Sequence, residues 1–188
     1  MKTRILLVVV LIIAATALLL LLRRGGDEQP RRVDALVLSQ LQNAEYLSDY
    51  TDAGRVALTD GRYENPEEEV TVALVDSLVA YGDLTGDGLD EAALVLATNM
   101  GGSGVFLDLA VVADRDGVPV NVAVIDLGDR IRVESMEIRD RQVVLDMIVH
   151  GPGDPMCCPT RHATEKYGLH GEEIELEDES PPGRIRYE

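Results

Sequence analysis

The chain has 188 residues, with 17 basic and 34 acidic side chains and a net charge of −17. Residues 1–24 carry four of the basic groups and no acidic one, so residues 25–188 hold 13 bases against 34 acids, a net charge of −21. A surface this negative repels phosphate backbones and argues against nucleic acid as a partner. With 46% apolar residues, the sequence after residue 24 is sufficient for one folded domain and does not resemble a disordered chain.

The N-terminal segment Ile5–Leu22 contains no charged residue. As a helix it is about 27 Å long, which is enough to cross the hydrocarbon core of a bilayer. We predict that residues 1–24 form an uncleaved membrane anchor. The alternatives are a signal peptide, for which Ala15-Thr16-Ala17 gives a poorly placed cleavage site, and a buried core helix.

The orientation of this anchor does not follow from charge, because basic residues flank both of its ends. A calcium-type loop and paired cysteines, described below, favour an exterior domain. We therefore predict a single-pass protein of the cell membrane with the lipid bilayer as a partner through residues 5–22. The remaining domain is expected on the extracytoplasmic side.

Beyond a short linker at residues 25–30, apolar residues recur at helical spacing and predict one amphipathic helix over residues 31–48. After Tyr50 the period changes to two, which is typical of β-strands. Pairs such as Asp116-Gly117 indicate tight turns, so that neighbouring strands should be antiparallel. The predicted strands lie near residues 70–82, 91–98, 104–113, 118–126, 131–138, 142–149, 162–168 and 173–177.

These elements predict an α+β fold class: a mostly antiparallel β-sheet with one N-terminal amphipathic helix, preceded by a single transmembrane helix. Residues 31–177 are expected to form a single extracytoplasmic domain. Residues 178–188 are expected to form an acidic tail that contains Pro181 and Pro182.

The sharpest motif is the acidic loop from Asp83 to Glu91, DLTGDGLDE. Oxygen-bearing side chains stand at loop positions 1, 3, 5 and 9, and a glycine stands at position 6. Calcium binds six to eight oxygen ligands, and a loop that alternates acidic residues with glycine can wrap around it. The predicted ligands are the side chains of Asp83, Thr85, Asp87 and Glu91 and the carbonyl of Leu89. The alternative is an Asp/Gly-rich turn that binds nothing.

This loop resembles the calcium loops of FG-GAP repeats of the integrin-propeller type, because it runs directly into an apolar strand. The resemblance covers about ten residues and one copy, so it does not imply a propeller. Thr85 departs from that family, which prefers Asp or Asn at this position. A neutral ligand there predicts modest affinity, as in extracellular calcium sites.

The two cysteines of the chain, Cys157 and Cys158, are adjacent. A bond between them would close an eight-atom ring and fix a tight turn. One alternative is a copper or zinc site that uses Cys157 and Cys158 with His150, His162 or both, since thiolate and imidazole suit these metals. Another is a redox-active pair or a disulfide between chains.

The motifs GDLTGDG at residues 82–88 and DPMCCPT at residues 154–160 together resemble an uncharacterised family of small bacterial exported proteins. The likeness spans roughly residues 40–176. It implies an envelope location and one compact domain, and it supplies no catalytic residues. The chain departs from that family in having no lipid-attachment cysteine.

The sequence therefore predicts a membrane-anchored, calcium-stabilised and non-enzymatic extracytoplasmic domain whose partner is unknown. The alternative is a metal- or thiol-handling envelope protein centred on Cys157 and Cys158. A hydrolase triad of Ser103, His150 and Asp146 is supported only by the residue types.

Overall fold

The computed structural model describes residues 36–180, which lie within one compact unit of the chain. This part of the chain is built almost entirely of antiparallel strands. A single short helix, α1, precedes them at Leu38–Leu41. The strands are β1 (Glu45–Leu47), β2 (Arg55–Ala57), β3 (Arg62–Asn65), β4 (Val70–Gly82), β5 (Glu91–Asn99), β6 (Phe106–Arg115), β7 (Val118–Asp129), β8 (Arg132–Arg139), β9 (Gln142–Val149), β10 (Arg161–His170) and β11 (Glu173–Ser180).

Two sheets follow the order of the sequence. β3 to β7 form a five-stranded sheet and β8 to β11 form a four-stranded sheet, while β1 and β2 pair as a separate hairpin. All pairings are antiparallel. The predicted strands from residue 70 onward and their antiparallel order are thus confirmed.

Tight turns set this order. Asp116 and Gly117 between β6 and β7, and Asp140 and Arg141 between β8 and β9, all have positive φ angles. Two consecutive residues with positive φ are typical of the two-residue turns whose twist matches that of paired strands.

The two sheets pack face to face. β4 contacts β8 and β7 contacts β11, so the sheets meet at two places on opposite sides of β5. At the first contact, a Cβ added to Gly82 would lie 2.7 Å from Cγ2 of Ile138, which explains why a glycine stands there. The core between the sheets contains Ala93, Val95, Leu109 and Val111 from one sheet and Val143, Leu145, Met147, Ala163 and Tyr167 from the other.

A second core covers the opposite face of the five-stranded sheet. The segment from Leu36 to Leu58 packs there, and Tyr46 and Leu41 are fully buried. β5 is therefore covered on both faces, which explains its continuous apolar run. The sheet residues of this second core are Val70, Val72, Leu74, Ala92, Leu94, Leu96, Ala110 and Val112.

The predicted amphipathic helix over residues 31–48 is wrong within the described residues, where helix is confined to Leu38–Leu41. The buried Tyr46 hydroxyl donates a hydrogen bond to the Leu41 carbonyl oxygen at 2.7 Å. A longer helix would use that carbonyl for the Glu45 N–H. Glu45–Leu47 instead pairs with β2, so backbone pairing overrides an apolar spacing that fits either structure.

The predicted α+β class is consequently wrong, because the described residues form a β-fold. This correction extends to its transmembrane helix and signal-anchor: within residues 36–180, no helix is long and apolar enough to cross a membrane. The predicted span at residues 5–22 lies outside the described residues, as do residues 181–188 of the predicted tail.

Candidate functional site

The acidic loop connects β4 to the central strand β5, and its own carboxylates organise it. Asp83 accepts hydrogen bonds from the backbone N–H groups of Gly86 at 2.5 Å and Gly88 at 3.0 Å. Asp87 accepts one from Leu89 at 2.8 Å. Gly86 and Gly88 both have positive φ angles, which glycine adopts without strain.

Glu91 closes the loop from the first position of β5, where it is only 4% exposed. Its Oε2 accepts backbone hydrogen bonds from Leu84 at 2.8 Å and Thr85 at 3.2 Å. Burial raises the pKa of this carboxyl, the two backbone donors lower it, and the charges of Asp87 and Asp83 raise it. The net direction is upward, so the loop stabilises an ionised Glu91 less well than water does.

We call Asp83, Asp87 and Glu91 the loop cluster. Within the described part of the chain, none of the three forms an ion pair. The guanidinium of Arg141 lies beside the loop, since its Nη1 would be 2.8 Å from a Cβ added to Gly86.

The other two predicted calcium ligands lie at the surface of the loop. The Thr85 and Leu89 side chains are both exposed, and the backbone N–H of each donates to a carboxylate of the loop cluster. Among residues 36–179, no group of three or more His, Cys, Asp or Glu side chains is arranged to hold a metal ion. The carboxylates as placed therefore supply only part of a calcium ligand set.

Cys157 and Cys158 form a disulfide in the loop between β9 and β10. The ends of this loop are joined by Asp154, which accepts backbone hydrogen bonds from Gly151 and Thr160, each at 2.8 Å. Its carboxylate also accepts the Thr160 hydroxyl at 2.9 Å. The Gly151 N–H is the main cause of the lowered pKa of Asp154, so this carboxylate is ionised at neutral pH.

The two histidines of the predicted soft-metal site have different surroundings. His150 Nε2 is buried and has no hydrogen-bond partner within the described residues. Nδ1 of the exposed His162 lies 3.6 Å from Oε2 of Glu134 on β8. Both sulfur atoms are used in the disulfide, so a copper or zinc site would first require its reduction.

No contact among the described residues brings together Ser103, His150 and Asp146, the predicted hydrolase triad. Asp146 accepts hydrogen bonds from the Ser135 hydroxyl at 3.0 Å and the Thr164 hydroxyl at 2.7 Å, on the strands at either side. Ser103 is exposed in the loop between β5 and β6. The Asp146 carboxylate thus links β9 to β8 and β10 by hydrogen bonds.

The structure reveals a second acidic group that sequence reasoning missed. A cavity of about 210 Å³ lies between the β1–β2 loop and the outer face of the five-stranded sheet. It is lined by three aspartates, Asp49, Asp108 and Asp126, which we call the cavity cluster, and by Tyr50. Asp108 and Asp126 are cross-strand partners on β6 and β7.

Asp108 is the buried member of the cavity cluster, at 6% exposure. Burial raises its pKa to about 7, with further contributions from the charges of Asp126 and Asp49, while a hydrogen bond from Tyr50 opposes the shift. One local feature of the sequence points to Asp108, because this residue interrupts the apolar run from Phe106 to Ala113. A charged residue is rarely buried without a partner.

A polar cleft of about 370 Å³ was also missed, beside the acidic loop. Glu177 on β11 accepts hydrogen bonds from Gln142 and from His170, and these bonds lower its pKa. Gly168 permits this approach, because a Cβ there would overlap the Glu177 carboxylate. No local sequence pattern indicates the cleft, since its residues come from separate strands.

Comparison of the chain with protein-family models, with curated proteins and with solved structures finds no match. The resemblances of the acidic loop and of the DPMCCPT motif therefore stay predictions.

Proposed function

We propose that this chain contains an extracytoplasmic, non-enzymatic β-domain whose acidic loop is stabilised by calcium. The observation that carries the proposal is the charge of the loop cluster. Glu91 is buried, the charges of Asp87 and Asp83 raise its pKa, and no ion pair among the described residues compensates the three carboxylates. Buried charges are normally paired or coordinate a metal ion, and a divalent cation would supply the missing charge.

The chemistry of the loop favours calcium over softer metals. Its available donors are all oxygens: the carboxylates of Asp83, Asp87 and Glu91, the Thr85 hydroxyl and backbone carbonyls such as that of Leu89. Hard oxygen donors of this kind suit calcium. The carboxylates already accept backbone hydrogen bonds, so the loop is closed without an ion. Calcium would therefore be coordinated by oxygen atoms of a preformed loop and would not need to fold it.

The disulfide supports a location outside the cytoplasm. The chain has two cysteines, and in the structure they are bonded to each other. Disulfides form and persist in oxidising compartments and are rare in the cytosol. Extracellular calcium is also high enough to occupy the millimolar class of sites.

The proposal is tested by thermal unfolding of the full-length chain in EGTA and in increasing calcium. A ligand that binds only the folded state stabilises it by about 2.7 kcal/mol at a hundredfold excess over Kd. We expect calcium to raise the Tm of the wild type by several degrees and to leave the Tm of Asp87→Ala unchanged.

Asp126→Ala is a matched control. Asp126 is exposed like Asp87, belongs to the other acidic cluster, and likewise accepts a backbone hydrogen bond from the residue two positions on. It should keep the full calcium response. An absent response in the wild type at several millimolar calcium, or an equal loss in both variants, would count against a loop site.

A further inference from the structure

The disulfide is freely accessible to solvent. Cys157 and Cys158 are both exposed, and the preceding Met156 side chain is 62% exposed. Exchange begins when a thiolate attacks a disulfide sulfur, so access is one of the determinants of its rate. No other part of the described fold has to open before a small thiol can reach these sulfur atoms.

The surrounding loop is held without the disulfide. Asp154 joins the two ends of the loop through Gly151 and Thr160. The Cys158 N–H donates to the Pro155 carbonyl at 2.9 Å, and Arg130 Nη1 donates to the Met156 carbonyl at 3.2 Å. Cleaving the bond between the sulfur atoms removes none of these hydrogen bonds.

The bond also contributes little to the stability of the fold. A disulfide stabilises mainly by closing a loop in the unfolded chain, and the effect grows with loop length. Cys157 and Cys158 are adjacent, so the restriction is minimal. Reduction should therefore leave the free energy of unfolding nearly unchanged.

We propose that Cys157–Cys158 is a reversible two-electron exchange site for a dithiol. A thiolate of the dithiol attacks one Sγ, the bond between the cysteines breaks, and the other cysteine leaves as a thiolate that takes up a proton. The second thiol of the reagent, as a thiolate, then attacks the reagent sulfur that is bonded to the first cysteine. That cysteine leaves as a thiolate and takes up a proton. The cysteine disulfide is reduced to two thiols, and the dithiol is oxidised to a cyclic disulfide.

A dithiol fits this site better than a monothiol. In the mixed disulfide, the released cysteine lies one residue from the bond and can attack it again. The second thiol of a dithiol competes with that reversal because it is held in the same molecule.

The experiment uses the full-length folded chain, with dithiothreitol as the dithiol and alkylation followed by mass spectrometry of the peptide that contains residues 157 and 158. We expect the reduction rate in the folded chain to be within about tenfold of the rate in the urea-unfolded chain, because both cysteines are already exposed in the folded chain. A folded-state rate more than about a hundredfold slower would overturn the proposal.

Two further readouts separate exchange from a structural role. The reduced chain should keep a Tm within about 2 °C of that of the oxidised chain, and so should the Cys157→Ser/Cys158→Ser variant. Oxidised glutathione should regenerate the bond within the chain. Loss of the folded state on reduction, or re-oxidation into dimers between chains, would each contradict a reversible site.

Discussion

The loop cluster and the cavity cluster each contain three carboxyl groups, but the buried carboxyl of each accepts hydrogen bonds from different donors. Each has one buried carboxyl, Glu91 or Asp108, whose pKa is raised by burial and by two neighbouring aspartates. Glu91 accepts two backbone N–H groups, whereas Asp108 accepts a hydrogen bond from the Tyr50 hydroxyl.

This difference shows what keeps a carboxylate ionised in an acidic protein. Backbone donors fixed by a loop favour the charged form and oppose burial. Asp108, with one side-chain donor, has a pKa of about 7 and so keeps a proton over much of the acidic range. The loop cluster is thus better prepared for a cation, and the cavity cluster for a pH response.

The largest effect on the free energy of unfolding is expected from Asp108→Asn. The folded-state pKa of about 7 lies above the ordinary value of 3.8. The contribution of Asp108 to stability is therefore fully present below about pH 4 and is lost as pH rises through 7. The asparagine variant does not ionise, so its free energy of unfolding should exceed that of the wild type at pH 8 by at most about 4 kcal/mol.

Urea unfolding of both proteins at several pH values from 4 to 8 measures this difference. The difference in the free energy of unfolding between the two proteins should widen from pH 4 to about pH 7 and level off above it, because Asp108 is then ionised in both the folded and the unfolded state. A constant gap would mean that Asp108 is already ionised throughout.

The next largest effect is expected from Glu91→Ala. This change leaves the backbone N–H groups of Leu84 and Thr85 without their acceptor. An unsatisfied buried donor costs about 1–3 kcal/mol, and Leu84 is buried. We expect a loss of about 2–3 kcal/mol in the free energy of unfolding, measured with urea in EGTA at pH 7.

Glu91→Gln is the matched variant, since it keeps an acceptor oxygen and removes the charge. Its loss should be below about 1 kcal/mol, because the donors stay paired. Equal losses in the two variants would show that the charge, and not the hydrogen bonding, holds the loop.

The smallest effect is expected from Tyr50→Phe, which removes the hydroxyl that donates to Asp108. The pKa of Asp108 should rise further, and the free energy of unfolding at pH 8 should fall by about 1 kcal/mol. In the Asp108→Asn background the same change should cost less, since no carboxylate is present. Additive effects in this double-mutant cycle would show that the two groups do not interact.

The strands from β4 onward and the loop cluster could be read from the sequence because their signals are local. Alternating apolar residues and pairs such as Asp116-Gly117 lie within a few positions of each other. The loop cluster is likewise contiguous from Asp83 to Glu91. The helix prediction failed because apolar spacing does not reveal that Glu45–Leu47 pairs with β2.

The cavity cluster could not be read in this way. Asp49, Asp108 and Asp126 are far apart in sequence and meet only because β6 pairs with β7 beneath the β1–β2 loop. The role of Asp154 was missed for a related reason: the motif that contains it was noticed, but its bonds to Gly151 and Thr160 depend on the course of the loop.

The most direct test is a pH titration of the Glu91 side-chain carboxyl by carbon NMR, with and without calcium, in the full-length chain. Without calcium, the pKa of Glu91 should lie above its ordinary value. With saturating calcium it should fall below that value, while the pKa of Asp108 stays near 7. An unchanged Glu91 titration, or a shift confined to Asp108, would contradict calcium binding by the loop.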